Sequence, residues 1–499
     1  MKFLSSPRFC LLLAFAILPL AVTNESLWLD EGDTAMYALE PTLHSWCDRL
    51  LHDGQADCQM PLSMFCAWAA GKIFGTGEWQ LRAINVFWGA LALVAMHRVG
   101  RRLQLPWLPL LLAIQPFFWF YLNEARPFAL ELGCGAWLLA ALVDFNHSRA
   151  RGSGWAWQLS LGGFFLYCST LLAPLPVATV VLVAGFIAWR QGWRPQREAV
   201  LILLGGLAAC LPVAAYYVST LLRGTMSGQV WHVDLKFIAY VFYEFTGMGG
   251  IGLGGEEIRS LARSPNLVSE LISHLPQLAL PLLLGLLLVM VLCLGLRRRN
   301  AKPENRLTLL GIVSVLAVTS GVFIVVSLAL QKAFWARHYS PVFPFYVALL
   351  GFAFAGIGSS PRRWLRLLPL TICALLLCSA LNFRFAPSLR KEDYRSTAGF
   401  VRPLLVQGKS VWWLASGYPA NYYGMDAAYF NPEPGKVFVA FRSREDVRTL
   451  PLPDVVVVNK PDLHDPSGAV QKIISKNQYA MAARYQGFVI WTNAAPGKR

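Results

Sequence analysis

Apolar runs of helix length recur along the chain from residue 9 to residue 384, separated by short polar turns. A membrane-spanning helix needs about 20 mostly apolar residues, and eleven runs come near that length: 9–24, 82–100, 105–122, 127–145, 155–172, 174–189, 199–219, 271–296, 307–330, 341–358 and 366–384. A shorter apolar stretch, 61–75, carries Lys72 near its end and predicts a helix lying at the membrane interface. The pattern therefore predicts a polytopic α-helical membrane protein.

Composition agrees with this interpretation. The 499 residues are 56% hydrophobic and 14% charged, whereas an average soluble protein is about 45–50% apolar and about 25% charged. This excludes a soluble cytosolic enzyme, a disordered chain and a small disulfide scaffold. The net charge of +16 would suit a nucleic-acid partner, but many basic residues lie in short turns between apolar runs, so no such partner is predicted.

The basic residues predict the orientation of the chain. If the N-terminus is cytoplasmic, the short outer turns contain only Arg126, Lys332 and Arg337, and the other basic turns face inward, as the positive-inside rule requires. The inward-facing residues are Lys2, Arg8, Arg98, Arg101, Arg102, Arg149, Arg151, Arg190, Arg194, Arg197, Arg297, Arg298, Arg299, Lys302, Arg306, Arg362, Arg363 and Arg366. The N-terminus is thus expected in the cytoplasm and the C-terminal tail outside it.

Three segments are expected outside: the loops 25–81 and 220–270, and the tail 385–499. The tail alternates apolar strand-like runs with polar stretches, which predicts a small α/β domain. The four runs are 410–415, 436–441, 454–459 and 487–492. We therefore predict a transmembrane domain over 1–384 and an outer domain over 385–499.

The first apolar run has an alternative interpretation. Lys2 and Arg8 precede it, as in a secretory signal peptide. The residues around Ala21-Val22-Thr23 match a cleavage site poorly, so an uncleaved anchor is favoured. Either interpretation leaves residue 25 outside the cytoplasm.

Two adjacent carboxylates, Asp30 and Glu31, follow the first span. At a membrane boundary, burial can raise the pKa of a carboxyl group and make it a usable base. The plainer interpretation is an acidic cap at the start of a surface helix. The pair alone favours the helix cap, and the motifs that accompany it shift the balance towards the base.

Further motifs follow in order on the same predicted side. They are Met60-Pro61-Leu62, then Leu81-Arg82 opening the second span, then Glu124-Ala125-Arg126-Pro127-Phe128-Ala129-Leu130 opening the fourth. With the Asp-Glu pair, this order resembles the polyprenyl-phosphate-sugar-dependent glycosyltransferases of the GT-C fold. The similarity is to bacterial members akin to the protein O-mannosyltransferases and the lipid A aminoarabinose transferases. It covers about 9–150 well and 331–358 loosely.

The resemblance implies a sugar donor linked to polyprenyl phosphate and an inverting transfer to an outside acceptor. Asp30 would deprotonate or orient the acceptor hydroxyl, and Glu31 would be a supporting charge. Arg126 would bind the donor phosphate, and Arg82 would hold either the acidic loop or the phosphate. The motif of the aminoarabinose transferases that this chain resembles has a lysine directly before the Pro-Leu step, where this chain has Gln59-Met60. That departure puts a lysine–phosphate contact in doubt.

Physical chemistry supports the arginines without the resemblance. A phosphate leaving group gains charge in the transition state, and guanidinium groups hold phosphate oxygens in a bidentate manner. Arg337-His338-Tyr339 precedes the tenth span on the same side and is a further candidate for phosphate binding. Snorkelling arginines at the interface are the alternative. Glu131, inside the fourth span, is either functional or a structural partner of a neighbouring helix.

Two of the ten cysteines, Cys47 and Cys58, lie in the aqueous part of the first outer loop, outside the predicted interfacial helix 61–75. Because the outer compartment is oxidising, a disulfide between them is predicted, with two reduced thiols as the alternative. No cofactor and no metal site are predicted, and a divalent metal is left open.

The sequence thus predicts a glycosyltransferase of a bacterial inner membrane. It would use a polyprenyl-phosphate sugar, contact membrane lipids, and act on a glycolipid, glycan or protein. A transporter or flippase of an envelope precursor is the competing class. Such proteins are expected to carry broken helices and polar groups near the bilayer midplane, whereas the informative charges here gather at one face. A sensor whose tail binds partners would not need the Asp-Glu and arginine set.

Overall fold

The computed structural model of the chain describes residues 6–52, 56–223, 233–254, 257–258, 261, 264, 266–298, 303–358, 360–442 and 447–493. They form two compact units. The helical unit comprises Met1–Thr23, Cys47–Cys66 and Arg82–Leu389, and the sheet unit comprises Asn24–Trp46, Ala67–Leu81 and Arg390–Arg499. Parts of the predicted outer loop 25–81 therefore group with the C-terminal tail.

Helices account for most of the described chain. In chain order they are α1 (Pro7–Ile17), α2 (Leu29–Leu39), α3 (Leu43–His52), α4 (Pro61–Phe74), α5 (Glu78–Leu103), α6 (Leu108–Ala113), α7 (Pro116–Leu122), α8 (Phe128–Ser148), α9 (Gly154–Ser169), α10 (Pro174–Gln191), α11 (Arg197–Leu222), α12 (Leu235–Phe245), α13 (Leu267–Ser273), α14 (Leu275–Arg298), α15 (Pro303–Leu330), α16 (Phe343–Gly358), α17 (Leu367–Phe385), α18 (Tyr394–Val406), α19 (Gly417–Tyr422), α20 (Pro461–His464) and α21 (Ala469–Lys476). Short 3₁₀ turns cover Leu18–Ala21, Ala56–Gln59, Met248–Gly250, Ala336–Val342, Arg363–Arg366, Pro387–Leu389 and Ala440–Arg442.

Among the described residues, eight helices are long and apolar enough to cross a membrane. They are Glu78–Leu103, Phe128–Ser148, Pro174–Gln191, Arg197–Leu222, Leu275–Arg297, Glu304–Leu330, Ala336–Gly358 and Trp364–Phe385. The predicted class, a polytopic helical membrane protein, is confirmed. The predicted count of eleven spans is not.

The three remaining predicted spans lie in shorter helices, and two of them are interrupted at prolines. The span 9–24 is α1 followed by a 3₁₀ turn that contains Pro19. The span 105–122 is divided into α6 and α7, because Pro116 begins a new helix and proline cannot donate the backbone hydrogen bond that would continue the old one. The span 155–172 is α9, which has 16 residues.

Helix α8 lies at the centre of the helical unit. Its apolar window is 94% buried, whereas that of α11 is 6% buried, so α11 is the helix that presents its side chains outward. Glycine allows the backbone to approach α8 closely: a Cβ on Gly135 would lie 2.0 Å from the carbonyl oxygen of Pro341. The turn Ala336–Val342 is held against α8 in this way.

The sheet unit contains a six-stranded sheet in the order β2-β3-β1-β4-β6-β5. Its strands are β1 (Val411–Leu414), β2 (Ala427–Ala428), β3 (Val437–Phe438), β4 (Val455–Asn459), β5 (Tyr479–Tyr485) and β6 (Phe488–Asn493). The first four are parallel, with Val411 of β1 opposite Val455 of β4, and β6 runs antiparallel to β4. Each of the four predicted strand runs contains a strand, and the predicted small α/β domain is confirmed.

Both faces of this sheet are covered, as the fully buried β1 and β4 require. Residues of α18, among them Tyr394 and Val401, pack on the face that carries Trp413. Val470 and Ile474 of α21 pack on the face that carries Trp412. Apolar side chains on both faces of a strand are typical of a parallel sheet with helices on both sides.

Candidate functional site

The two adjacent carboxylates have different environments in the first turn of α2. Glu31 is fully buried and lies 3.1 Å from the ammonium nitrogen of Lys391. The backbone N–H of Trp28 also donates to its carboxylate, at 3.3 Å. Glu31 therefore caps α2 and neutralises a buried lysine, while Asp30 is only half-buried.

Close packing of α2 against α19 within the sheet unit holds Asp30 in place. A Cβ on Gly32 would lie 2.5 Å from the ring of Pro419, so the backbone of α2 is pressed against α19. Asp30 and Asp33 both act electrostatically on Tyr394. Burial of Tyr394, with the nearby charge of Glu392, raises the pKa of its phenol well above the usual range, so this hydroxyl keeps its proton.

Arg126 of the helical unit is buried, with 7% of its surface exposed. Its guanidinium donates to the carboxylate of Asp57, which is itself buried, and lies 3.6 Å from the sulfur of Met60. Met60 thus contacts the guanidinium. It stands directly before Pro61-Leu62, at the position where the motif of the aminoarabinose transferases has a lysine. Arg126 stands immediately before Pro127, the N-cap of α8.

Arg337 is brought to the same part of the helical unit as Arg126, because Glu131 of α8 interacts electrostatically with both guanidinium groups. Arg337 and His338 are half-buried in the turn Ala336–Val342. Tyr339 is a core residue, with its ring centroid 5.0 Å from that of Phe323. Two of the predicted arginines therefore lie within electrostatic range of one buried carboxylate.

Arg82 is fully buried in the helical unit and makes a structural contact. Its guanidinium donates to the carbonyl oxygen of Thr23 at 3.2 Å. The hydroxyl and backbone N–H of Thr23 donate in turn to Asn123, at 3.0 and 2.8 Å. This network ties the start of α5 to the segment after α1 and to the end of α7.

The predicted disulfide between Cys47 and Cys58 is not present in the structure, in which all ten cysteines are described and none is bridged. Other contacts hold this loop instead. The hydroxyl of Tyr216 donates to the carbonyl oxygen of Cys58 at 2.6 Å, and the neighbouring Asp57 is bound by Arg126. These bonds supply the restraint that the disulfide was expected to provide.

Two partners of the candidate residues escaped the sequence analysis, Asp57 and Lys391. Asp57 stands beside Cys58 in a loop whose pairing with Arg126 has no local signal. Lys391 belongs to a charged run whose most evident role is to begin α18, where Asp393 accepts the backbone N–H of Ser396 at 2.9 Å. Among the described residues, no group of three or more histidine, cysteine, aspartate or glutamate side chains could hold a metal ion.

The carboxylates Asp30 and Glu31 thus belong to the sheet unit, and the arginines Arg82, Arg126 and Arg337 belong to the helical unit. Chemically, the first group offers a half-buried carboxylate on a rigid helix. The second offers two buried guanidinium groups, Arg82 and Arg126, and the half-buried guanidinium of Arg337. Charge-assisted hydrogen bonds to an anion are strong in a low-dielectric environment.

Comparison with known proteins found no matching family model and no matching curated protein. Among solved structures, the chain is similar to ArnT from Cupriavidus metallidurans bound to undecaprenyl phosphate, with a TM-score of 0.50 and 13% identity over 98% of both chains. The chain has the GT-C fold. At this identity the likeness shows the fold alone, and it confirms the fold that the order of motifs predicted.

A second solved structure is the oligosaccharyltransferase of Archaeoglobus fulgidus in complex with zinc and sulfate. It has a TM-score of 0.46 and 11% identity, over 97% of this chain and 73% of that chain. A score of this size carries no argument about this chain.

Proposed function

We propose that this chain is a membrane glycosyltransferase that transfers a sugar from a polyprenyl-phosphate donor to an acceptor outside the cytoplasm. The observation that carries the proposal is the buried guanidinium of Arg126, paired with the Asp57 carboxylate in a GT-C fold. Arg337 acts on the same Glu131 as Arg126. The ArnT structure with this fold contains undecaprenyl phosphate, which is the class of lipid that two guanidinium groups suit.

In this proposal Arg126 binds the donor phosphate and Arg337 adds a second positive charge. As the bond between the anomeric carbon and the phosphate oxygen breaks, its electron pair stays with the phosphate. Guanidinium donors stabilise the charge that develops there. Arg82 acts indirectly, by holding the segment at Thr23, and Tyr339 supports the turn that carries Arg337. His338, half-buried beside Arg337, is a lesser candidate for contact with the phosphate.

Asp30 is the proposed base. It would take the proton of an acceptor hydroxyl, whose oxygen forms the new bond to the anomeric carbon on the face opposite the phosphate, with inversion. Glu31 positions it, because the contact with Lys391 holds the first turn of α2. Lys391 also balances the charge of Glu31.

We place the protein in a bacterial inner membrane, with its N-terminus in the cytoplasm and the sheet unit outside. The distribution of basic residues in the turns supports this orientation. The experiment below would reveal the sugar that it transfers.

The proposal is tested by mass spectrometry of envelope glycolipids and glycans from a deletion strain and from the same strain complemented with variants. Wild-type protein should restore a sugar that the deletion strain lacks. Asp30→Asn should lower transfer by at least about a hundredfold, the usual scale for loss of a general base. The matched control is Asp426→Asn, an exposed aspartate of the same unit. Full restoration by Asp30→Asn would show that Asp30 is not the base.

A further inference from the structure

The carboxyl ends of β1 and β4 form a topological switch point in the sheet unit. The chain leaves β1 towards β2 on one side of the sheet, and leaves β4 towards β5 on the other. In open α/β sheets, ligands bind beyond the carboxyl ends of the strands at such a point. The residues in that position after β4 are Asn459, its last residue, and Lys460.

Two buried acceptors lie together at this point. Asn459 is fully buried, and its amide nitrogen donates to the carbonyl oxygen of Gly487 at 2.8 Å, but within the described chain its side-chain oxygen accepts no hydrogen bond. Glu392 is 9% exposed; one carboxylate oxygen binds the Lys460 ammonium, and among described residues none donates to the other.

Gly487 shows how close these two side chains are. Its φ of +76° is in the left-handed region, and a Cβ there would lie 2.8 Å from Cγ of Glu392 and 3.2 Å from the amide nitrogen of Asn459. The absence of a side chain at residue 487 therefore leaves room for both groups. Buried polar atoms normally have partners, and those without one need an explanation such as a ligand.

Trp28 completes the cluster with a donor and an aromatic face. Its indole N–H is buried and, within the described residues, has no acceptor. The ammonium of Lys460 lies 5.3 Å from the centroid of its ring. Lys460 has φ 42° and ψ 68°, a strained conformation for a residue with a side chain, and such strain is concentrated at ligand sites.

The chemistry of the cluster selects a neutral ligand rich in hydroxyl groups. Its charges are already balanced, because Lys460 pairs with Glu392 and Lys391 pairs with Glu31. What remains is two acceptors, one N–H donor and an indole ring that Lys460 covers. Sugars present hydroxyl donors at their edges and C–H groups on a face that can stack on an indole once the lysine moves aside.

We infer that Trp28, Glu392, Asn459 and Lys460 form a saccharide-binding site at the switch point of the sheet unit. The inference rests on the proposed function in one respect: it makes the site the place where the sugar of the acceptor binds. Trp28 stands two residues before Asp30, and Glu392 and Asp30 both act electrostatically on Tyr394. The acceptor is thus a glycan or the headgroup of a glycolipid.

The test uses the full chain in lipid nanodiscs and saturation-transfer NMR with a panel of methyl glycosides of neutral hexoses, deoxyhexoses and amino sugars. Transfer to at least one glycoside is expected with wild-type protein. Trp28→Phe keeps an aromatic ring but removes the N–H together with the pyrrole half of the indole, and should weaken that affinity about tenfold, as should Glu392→Gln. Glu433→Gln, an exposed glutamate of the same unit, is the matched control and should bind normally.

A decyl glycoside of the same sugar, used below its critical micelle concentration, distinguishes a glycan ligand from a glycolipid ligand. Equal affinity for the methyl and decyl forms indicates recognition of a glycan, and tighter binding of the decyl form indicates a glycolipid; both support the site. If no glycoside binds, or if a serine- or threonine-containing peptide binds at the cluster instead, the inference is overturned. Thermal unfolding shows whether the Trp28→Phe and Glu392→Gln variants are folded. The inference is also overturned if these folded variants bind the glycoside with wild-type affinity.

Asp30→Asn distinguishes failure of the site from failure of the proposed function. This variant should keep glycoside affinity within about threefold, because Asp30 contributes to the chemistry and not to the four-residue cluster. Sugar binding with no glycosyl transfer by wild-type protein would refute the function and leave the site standing. Transfer of a sugar to an acceptor that contains no sugar would support the proposed function and refute the saccharide-binding site.

Discussion

The buried pair of Arg126 and Asp57 should respond in a characteristic way when its charges are removed. Both side chains are more than nine-tenths buried, so Arg126→Ala leaves a carboxylate without its partner in a low-dielectric environment. Loss of one partner of a buried pair costs about 3–5 kcal/mol of unfolding free energy. The double variant Arg126→Ala/Asp57→Ala removes both charges and should recover most of that loss.

The same pair predicts an opposite effect on donor binding. A phosphate and the Asp57 carboxylate repel each other if both sit on one guanidinium, by about 4 kcal/mol at ~4 Å and an effective dielectric constant of ~20. Asp57→Asn removes this competition and should tighten binding of a lipid phosphate about tenfold or more. Arg126→Ala should weaken it by roughly 1.5–3 kcal/mol, and Arg126→Lys should rescue only partly because it lacks the fork.

The assay is binding of undecaprenyl phosphate to the full chain in nanodiscs, followed by native mass spectrometry, with undecaprenol as the uncharged control lipid. Asp48→Asn, an exposed carboxylate on α3 in the same unit, is the matched control and should leave affinity unchanged. Thermal unfolding of each variant separates loss of fold from loss of binding. Unchanged affinity in folded Arg126→Ala, together with no gain in Asp57→Asn, would refute the reasoning and make the pair purely structural.

Two further predictions concern the packing that holds the candidate residues. Gly135→Ala places a methyl group 2.0 Å from the carbonyl oxygen of Pro341 and should lower stability by about 1–3 kcal/mol in thermal unfolding, whereas Gly185→Ala, with open space at its Cβ, should not. Tyr423→Phe leaves the backbone N–H of Leu27 without its acceptor at 2.8 Å and should cost about 1–3 kcal/mol. Burial raises the pKa of Tyr423 to about 12. The stability that the protonated Tyr423 hydroxyl contributes should therefore be present below about pH 10 and be lost as pH rises through about 12. If the difference in unfolding free energy between wild type and Tyr423→Phe stays constant across this range, the prediction is contradicted.

Hydropathy predicted the class of the fold because each spanning helix must satisfy its own backbone and bury its side chains in lipid or protein. It failed where a break depends on one residue. Pro116 begins α7, so the apolar run 105–122 forms two short helices where one long helix was predicted. The strands of the tail were predictable for a similar local reason, since β1 and β4 are short continuous apolar runs. The two-residue strand β2 is too short to have a pattern.

The partners of the candidate residues were not predictable, because they come from distant parts of the chain. Asp57 binds Arg126, which is 69 residues further along the chain, and its local sequence indicated a disulfide at Cys58 instead. Order and side of the membrane could be inferred from motifs and basic turns. Which acid meets which base depends on tertiary packing, and a single sequence contains no periodic signal for it.

The adjacent carboxylates Asp30 and Glu31 show how far local sequence leads and where it stops. Successive residues of an α-helix point about 100° apart, so two neighbours in one turn must meet different surroundings. Glu31 faces the interior of the sheet unit and meets Lys391, whereas Asp30 stays half-buried at the edge. Glu31 therefore has the capping role that the sequence allowed for the pair, together with a buried partner. The role of Asp30 in proton transfer stays a proposal.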